Sequence, residues 1–136
     1  MFSPDSHILV IDDSSAVRSL VKQQLTALGF RNVLEAEHGK EALEKLDSLS
    51  KVGVDVHLLI CDWNMPEMNG LELVKQLRKD PTLASLKVLM VTTETEMGQM
   101  ASSLEAGADE YVMKPFTKDI LVEKLELVGI SVLARV

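Results

Sequence analysis

Cysteine is nearly absent from this chain of 136 residues, in which Cys61 is the only thiol. A single cysteine excludes an internal disulfide framework and a zinc site built from several cysteines. No apolar run approaches the roughly 20 residues that a helix needs to cross a bilayer. The first six residues also lack the basic end and apolar stretch of a secretory signal. We therefore expect a cytoplasmic protein without disulfides.

Positive charge is scarce as well. The chain has 14 Lys and Arg against 21 Asp and Glu, which gives a net charge of −7. Nucleic-acid-binding domains need clustered Lys and Arg to contact phosphates, so this charge argues against that class. Hydrophobic residues make up 46% of the chain, a share typical of globular rather than disordered domains. The length predicts one domain over residues 1–136.

Short apolar runs alternate with amphipathic segments along the chain. The runs predict β-strands at 7–11, 32–36, 58–62, 87–91 and 110–113. Helical spacing predicts helices from Ser14 or Ser15 to Leu28, over 39–49, 70–79 and 97–106, and from Thr117 onward. Five β-α repeats are typical of an α/β fold in which a parallel sheet has helices on both faces.

Periodicity also predicts which side chains face the core. Among those predicted to face inward are Leu20, Leu71, Met90, Met97, Met100, Ala101, Leu104 and Met113. Trp63, the only tryptophan, directly follows the third strand and is predicted to be exposed on a loop, with packing against the turn as the alternative.

Polar side chains follow four of the five predicted strands. Asp12 and Asp13 follow the first strand, Asp62 ends the third, Thr92 follows the fourth, and Lys114 follows the fifth. Because the carboxyl ends of parallel strands share one edge of the sheet, where open α/β folds bind ligands, we expect these side chains to meet there. The second strand has no such residue, which favours an edge position away from the site.

Three neighbouring carboxylates would repel one another and raise each other's pKa values. A divalent cation removes that repulsion, and an all-oxygen ligand set favours Mg²⁺. The cation, an ammonium group and a hydroxyl would together favour an anion. Phosphoryl transfer relies on such positioning and charge neutralisation, and a carboxylate can itself accept the phosphoryl group.

These residues stand in motifs that resemble the response-regulator receiver domains of two-component signalling, and especially the single-domain regulators of chemotaxis. The motifs are Val10-Ile11-Asp12-Asp13-Ser14, Asp62-Trp63-Asn64-Met65-Pro66, Asn69-Gly70-Leu71-Glu72, Val91-Thr92 and Tyr111-Val112-Met113-Lys114-Pro115-Phe116. The resemblance covers a core of about 7–128 and leaves 129–136 as an apolar extension. It implies a flavodoxin-like (βα)5 three-layer sandwich with a five-stranded parallel sheet of order 2-1-3-4-5.

The resemblance also implies a role for each site residue. Asp62 would be the phosphoacceptor, phosphorylated by a histidine kinase. Asp13 and Asp62 would bind Mg²⁺ directly together with the backbone carbonyl of Asn64, and Asp12 would bind it through water. Lys114 would pair with a phosphoryl oxygen.

Two further residues would make up the switch: Thr92 would move toward the phosphoryl group and Tyr111 would move inward. The peptide bond between Lys114 and Pro115 is expected to be cis. The fourth helix, fifth strand and fifth helix would bind a downstream protein target, with the chain a monomer or weak dimer. No partner nucleic acid or membrane is expected, and no catalysis beyond the chain's own phosphorylation and autodephosphorylation.

The sequence departs from the family pattern in two places. Asn69 replaces the usual Asp before Gly70, and residues 94–98 lack the lysines of regulators that bind the flagellar motor switch. Asn64 and Glu94 match the pattern of a short-lived phosphorylated state.

Several alternatives remain open. The chain could be a phosphorelay or phosphate-sink receiver, act on a flagellar motor, or be part of a longer protein. An Asp- and Mg²⁺-dependent phosphatase of the haloacid dehalogenase type needs an Asp-x-Asp pair on the first strand, whereas this strand ends in adjacent aspartates. A flavodoxin-like flavin site is disfavoured because Asp12 and Asp13 would repel its phosphate. A dinucleotide site is excluded because no G-x-G-x-x-G follows a strand.

Removal of residues 130–136 should leave phosphorylation of Asp62 intact, because these residues lie beyond the core that the motifs define. Intact-mass spectrometry after incubation with Mg²⁺ and acetyl phosphate would measure this. A folded truncated protein that takes up no phosphoryl group would contradict the prediction.

Overall fold

A computed structural model describes residues 5–93 and 98–129. Its strands are β1 (His7–Ile11), β2 (Asn32–Ala36), β3 (Val56–Asp62), β4 (Lys87–Thr92) and β5 (Glu110–Met113). Its helices are α1 (Ser15–Ala27), α2 (Gly39–Lys51), α3 (Gly70–Arg78), α4 (Met100–Ala106) and α5 (Lys118–Leu127), with a short 3-10 helix at Pro81–Leu83.

The five strands form one parallel sheet of order β2-β1-β3-β4-β5, so the predicted topology is confirmed. From β1 the chain passes outward to β2 and then returns to the other side of β1 to form β3. The strand order therefore reverses between β1 and β3, which is where doubly wound sheets bind their ligands.

Both faces of the sheet are covered, which explains why the central strands are continuous apolar runs. Alternate side chains of each strand point to opposite faces. Ile8 and Val10 pack with residues of α1 and α5 on one face. Leu9 and Ile11 pack with residues of α2 and α3 on the other. The sheet is thus a rigid middle layer that holds the strand ends in fixed register.

Side-chain caps determine where several helices begin. The Ser14 hydroxyl accepts a hydrogen bond from the Val17 amide, 3.3 Å away, at the start of α1. At α3, Asn69 Oδ1 accepts from the Glu72 amide at 2.9 Å, and Glu72 Oε1 accepts from the Asn69 amide at 3.2 Å. This reciprocal pair is a capping box. Asn caps a helix about as well as Asp, so the departure at residue 69 keeps this function.

Several predicted positions within the elements are wrong. Leu20 is 54% exposed, because the buried stripe of α1 contains Arg18, Val21 and Leu25 instead. Met113 is 40% exposed at the end of the edge strand β5.

The predictions for α4 and its neighbours also need correction. Ala101 and Leu104 are exposed, because α4 buries Met100 and Ser103. Leu71 is only partly buried, and α3 buries Leu73 beside Val74 and Leu77. The predicted start of α4 at Met97 lies outside the described residues, as does the apolar extension after Gly129.

Two other observations bear on the predictions made from sequence. The peptide bond between Lys114 and Pro115 is cis, as predicted. No helix in the described ranges has the length and apolar character required to span a membrane.

Arg78, at the end of α3, joins three neighbouring segments. Its guanidinium group donates hydrogen bonds to the carbonyl of Gly107, which ends α4, and to the carbonyl of Leu83 in the 3-10 helix. It also forms an ion pair with Asp109 at 3.1 Å, and the Asp109 carboxylate accepts a hydrogen bond from the Val88 amide in β4. A single side chain therefore holds the amino-terminal side of the sheet to α3 and α4.

We expect Arg78→Met to lower the free energy of unfolding by about 2 kcal/mol, since the substitution leaves partly buried carbonyls and a carboxylate without their donor. Urea denaturation followed by circular dichroism measures this. Lys75→Met, at an exposed position of the same helix, is the matched control. Equal stability of Arg78→Met and wild type would contradict the prediction.

Candidate functional site

The register of the sheet brings the polar strand ends together. Ile11 of β1 lies beside Cys61 of β3, so the next residues, Asp12 and Asp62, are neighbours at the carboxyl edge. Asp62 in turn lies beside Val91 of β4, and Thr92 is opposite Met113 of β5. Lys114 follows Met113 directly. The chain thus places residues separated by up to 102 positions at one end of the sheet.

Three carboxylates form the centre of this edge. One oxygen from each of Asp12, Asp13 and Asp62 lies within 4.8 Å of the other two. Asp12 and Asp62 are buried, at 3% and 5% exposure, whereas Asp13 is exposed to solvent. The cluster therefore has two carboxylates in the floor and one at the rim, where a ligand can approach.

Lys114 is the basic group that meets this cluster. Its Nζ lies 3.2 Å from Asp12 Oδ2 and 3.5 Å from Asp62 Oδ1. Partial burial acts to lower the pKa of Lys114, but the negative charges of Asp62 and Asp12 and hydrogen bonds to both carboxylates outweigh burial and raise it above its ordinary value. Lys114 is consequently protonated at neutral pH, with its charge close to the Asp12 and Asp62 carboxylates.

Asp12 is held on several sides. Its amide donates to the carbonyl of Ala36 in β2 at 3.1 Å. Its Oδ1 accepts a hydrogen bond of 2.8 Å from the Ser14 amide, and its Oδ2 accepts from Lys114. This carboxylate is a fixed part of the site rather than a freely rotating side chain.

The loop after Asp62 is held close to the sheet. The Trp63 amide donates to the Val91 carbonyl at 2.9 Å, and the Gly70 amide donates to the Trp63 carbonyl at 2.8 Å. A Cβ on Gly70 would lie 2.2 Å from Met90 Cε, 3.0 Å from Trp63 Cα and 3.2 Å from the Asp62 carbonyl oxygen. Gly70 therefore permits α3 to begin directly against the backbone of Asp62.

Trp63 contradicts its sequence prediction. It is half-buried and packs against the core cluster on the α2 and α3 side of the sheet, rather than being exposed. The reason is the hydrogen bond from its amide to Val91, which extends the pairing of β3 with β4 by one residue and keeps the indole near the sheet. The indole remains beside Asp62 in the chain and is a usable optical probe of the site.

The two predicted switch residues occupy neighbouring strands. Thr92 is fully buried, and its hydroxyl donates to the Thr93 carbonyl at 3.2 Å. Tyr111 is half-buried in β5, with Lys124 Nζ of α5 lying 4.7 Å from the centre of its ring. Thr92 ends β4 and Tyr111 lies in β5. Their roles as switch residues and their movements stay predictions.

Asn64 is exposed in the loop two residues after Asp62. Its role as a metal ligand stays a prediction. Glu94, predicted to affect the lifetime of the phosphorylated state, lies outside the described residues. Sequence reasoning missed Arg18, which is buried and contacts Asp12, because a lone arginine on a helix gives no functional signal.

The donor set fits Mg²⁺. The three clustered side chains are all carboxylates, and the described residues of the cluster include no nitrogen or sulfur ligand. Mg²⁺ prefers oxygen ligands and usually keeps several waters while it takes one or two carboxylates. The exposed position of Asp13 leaves an open side for those waters and for a phosphoryl group.

Cys61 lies directly beside Asp62 in the chain but is chemically protected. It is fully buried, and its thiol donates to the Asp62 carbonyl with 3.3 Å between sulfur and oxygen. Burial, followed by the charges of Asp62 and Asp12, raises the pKa of the thiol far above its ordinary value. Only the thiolate is a strong nucleophile, so Cys61 is inert in the folded protein.

This pKa predicts a pH dependence of stability. The unfolded thiol loses its proton above its ordinary pKa of 9.0, whereas the folded thiol keeps it. The stability present below this pH is lost as the pH rises, by about 1.4 kcal/mol at pH 10. Urea unfolding between pH 8 and pH 10 should therefore show a steeper loss in wild type than in Cys61→Ala. Equal losses in both proteins would contradict the assignment.

A search of protein families matches the response regulator receiver domain to residues 8–126. The chemotaxis protein CheY1 of Helicobacter pylori is 50% identical to the chain over 121 residues, which are 89% of this chain and 94% of that protein. A chemotaxis protein CheY homolog of Campylobacter jejuni is 51% identical over 119 residues, 88% of each chain.

The fold also matches a solved structure of this kind. The chemotaxis protein CheY4 of Vibrio cholerae superposes on the chain with a TM-score of 0.80 at 32% sequence identity. The superposition covers 91% of this chain and 98% of that one. Sequence and fold comparisons thus point to the same group of proteins.

Proposed function

The chain belongs to the response regulator receiver domain family, and on that basis we propose that its Asp62 accepts a phosphoryl group from the phosphohistidine of a histidine kinase. The observation that carries this proposal is the contact of Lys114 with both Asp62 and Asp12 at an edge that also holds Asp13. Receiver domains of this kind are signalling proteins rather than classical enzymes. The chain's chemistry would be limited to gaining and losing its own phosphoryl group.

In the transfer, an oxygen of the Asp62 carboxylate attacks phosphorus, the new O–P bond forms, and the P–N bond to the imidazole breaks. The leaving imidazole then takes up a proton. Asp62 is fixed at the end of a buried strand, so its oxygen is presented in one orientation, and positioning supplies much of the rate. Lys114, already within 3.5 Å of Asp62, offers its positive charge to a phosphoryl oxygen.

Asp13, Asp62 and the backbone carbonyl of Asn64 would hold Mg²⁺ directly, and Asp12 would hold it through water. Bound Mg²⁺ would neutralise charge on the phosphoryl oxygens during transfer. Within the protein, the buried Asp12 carboxylate keeps Lys114 in place, and the open rim at Asp13 admits the phosphodonor.

The surface formed by α4, β5 and α5 is proposed to contact the downstream protein. Leu104, Met113 and Ile120 on these elements are 39%, 40% and 41% exposed. Exposed apolar side chains rimmed by polar ones are common in protein contact sites. Phosphorylation would shift the population of states through Thr92 and Tyr111, since Tyr111 lies in the same surface. Chemotaxis is the pathway that the relatives favour, and a phosphorelay or phosphate-sink role in the cytoplasm is the alternative.

We expect Asp62→Asn to abolish phosphorylation. Wild-type protein incubated with Mg²⁺ and acetyl phosphate should gain one phosphoryl adduct by intact-mass spectrometry, with a parallel change in Trp63 fluorescence. Asp62→Asn should gain none, because an amide oxygen is a poor nucleophile and the cation site loses a carboxylate.

The matched control is Asp55→Asn, which changes an exposed aspartate just before the same strand, at its opposite end. This variant should be phosphorylated like wild type. An adduct that persists in Asp62→Asn, or its absence from folded wild type, would show that Asp62 is not the acceptor.

A further inference from the structure

Arg18 stands out among the charged residues of α1. Within residues 5–93 and 98–129, it is the only basic residue that is buried, at 9% exposure. Burying a guanidinium group is costly unless hydrogen bonds and an opposite charge compensate it. One of the contacts that compensate it is with the backbone of Asp12, a member of the carboxylate cluster.

The guanidinium group makes two contacts in different directions. Nη1 donates to the backbone carbonyl of Asp12 at 2.6 Å, and Nε donates to Glu35 Oε1 of β2 at 3.1 Å. The first bond is charge-assisted and short, as expected for a strong interaction. Arg18 therefore ties the peptide that joins Asp12 to Asp13 to the neighbouring strand.

That peptide matters because Asp13 has little other support. Within the described part of the chain, the Asp13 carboxylate has no hydrogen-bond donor or salt-bridge partner, whereas Asp12 has contacts at its amide and at both carboxylate oxygens. The position of the Asp13 carboxylate thus depends on its backbone. The Asp12–Asp13 peptide bond includes the amide nitrogen of Asp13, so its orientation determines the position of the Asp13 Cα and of the side chain attached to it.

We propose that Arg18 is a positioning residue of the cation site: it fixes the Asp12–Asp13 peptide through the Asp12 carbonyl, and Glu35 holds its guanidinium in the required orientation. This inference rests on the proposed function, in which Asp13 is a direct ligand of Mg²⁺. Arg18 does not touch the cation or the phosphoryl group itself.

The charges around Arg18 suit this role. Glu35 pairs with Arg18 and also lies 3.9 Å from Lys22 Nζ, and its backbone carbonyl accepts a hydrogen bond from Lys45 Nζ. Because Glu35 offsets the charge of Arg18, the Arg18 guanidinium adds little electrostatic repulsion toward a metal ion bound at the carboxylates. Lysine cannot replace the guanidinium, because one ammonium group lacks the planar fork that reaches two acceptors in fixed directions.

The test measures Mg²⁺ affinity by isothermal titration calorimetry, with Trp63 fluorescence as a second readout. Arg18→Met keeps the volume of the side chain but removes both donors. We expect it to weaken Mg²⁺ binding about tenfold, the scale seen when a residue that orients a metal ligand is removed. Arg18→Lys should bind Mg²⁺ nearly as weakly as Arg18→Met.

Arg78→Met is the matched control, because Arg78 is a partly buried arginine that, like Arg18, has backbone and carboxylate acceptors but lies at the other end of the sheet. It should lose stability and keep the wild-type Mg²⁺ affinity to within about twofold. Thermal unfolding of each variant separates loss of fold from loss of positioning. If Arg18→Met does not fold, Glu35→Ala takes its place and should weaken Mg²⁺ binding about threefold.

Wild-type Mg²⁺ affinity in folded Arg18→Met or in Arg18→Lys would overturn the inference, as would an equal loss of affinity in Arg78→Met. Unchanged affinity in Glu35→Ala would overturn it in the same way. If wild type nevertheless binds Mg²⁺ and is phosphorylated, these results would contradict only the inference about Arg18 and not the proposed function. Absence of Mg²⁺ binding in wild type would overturn both.

Discussion

The crowding of like charges at the end of β1 and β3 is the constraint on which the rest of the structure depends. Asp12, Asp13 and Asp62 bring carboxylate oxygens within 4.8 Å of one another, and two of these side chains are buried. Such an arrangement is unfavourable in itself, and it persists because the apolar interiors of two central strands fix the backbone that carries it. Lys114 offsets part of the repulsion, and its raised pKa is the counterpart of the same crowding. A site kept in this state is suited to a ligand that brings positive charge.

Both backbone groups and side chains hold the carboxylates in position. Asp12 is held by groups from β2, from Ser14 at the start of α1 and from Lys114 after β5, and Arg18 donates to the Asp12 carbonyl. Gly70 lets α3 begin against the backbone of Asp62, so the loop after Asp62 has little room to move toward α3. Few residues would take part in the reaction itself. Neighbouring residues such as Arg18 and Gly70, which take no part in it, hold their backbone in position. This is the arrangement expected where a reaction relies on geometry and charge rather than on an unusual functional group.

The fold and the acidic edge were accessible from sequence because both depend on strong local patterns. Buried parallel strands are apolar along their whole length, and the polar residue that ends each run is easy to find. Positions within helices were less accessible. Leu20 was predicted inward by hydropathy, yet α1 buries Arg18, and the cost of burying that charge is met by the Asp12 carbonyl and by Glu35 of the neighbouring strand. Trp63 was predicted on a loop, and one backbone hydrogen bond to β4 decides otherwise. Such outcomes depend on tertiary partners, which no local pattern reports.

The distance along the chain between Lys114 and Asp12, 102 residues, has a consequence for biosynthesis. A ribosome releases all three acids well before it releases the lysine that binds two of them. Parallel strands pair only across long crossover segments, so these contacts carry a loop-closure cost and are not formed by local folding alone. An incomplete chain that lacks Lys114 therefore presents these carboxylates without the ammonium group that contacts two of them. The complete arrangement of three acids and one lysine can exist only in chains that have been synthesised past residue 114.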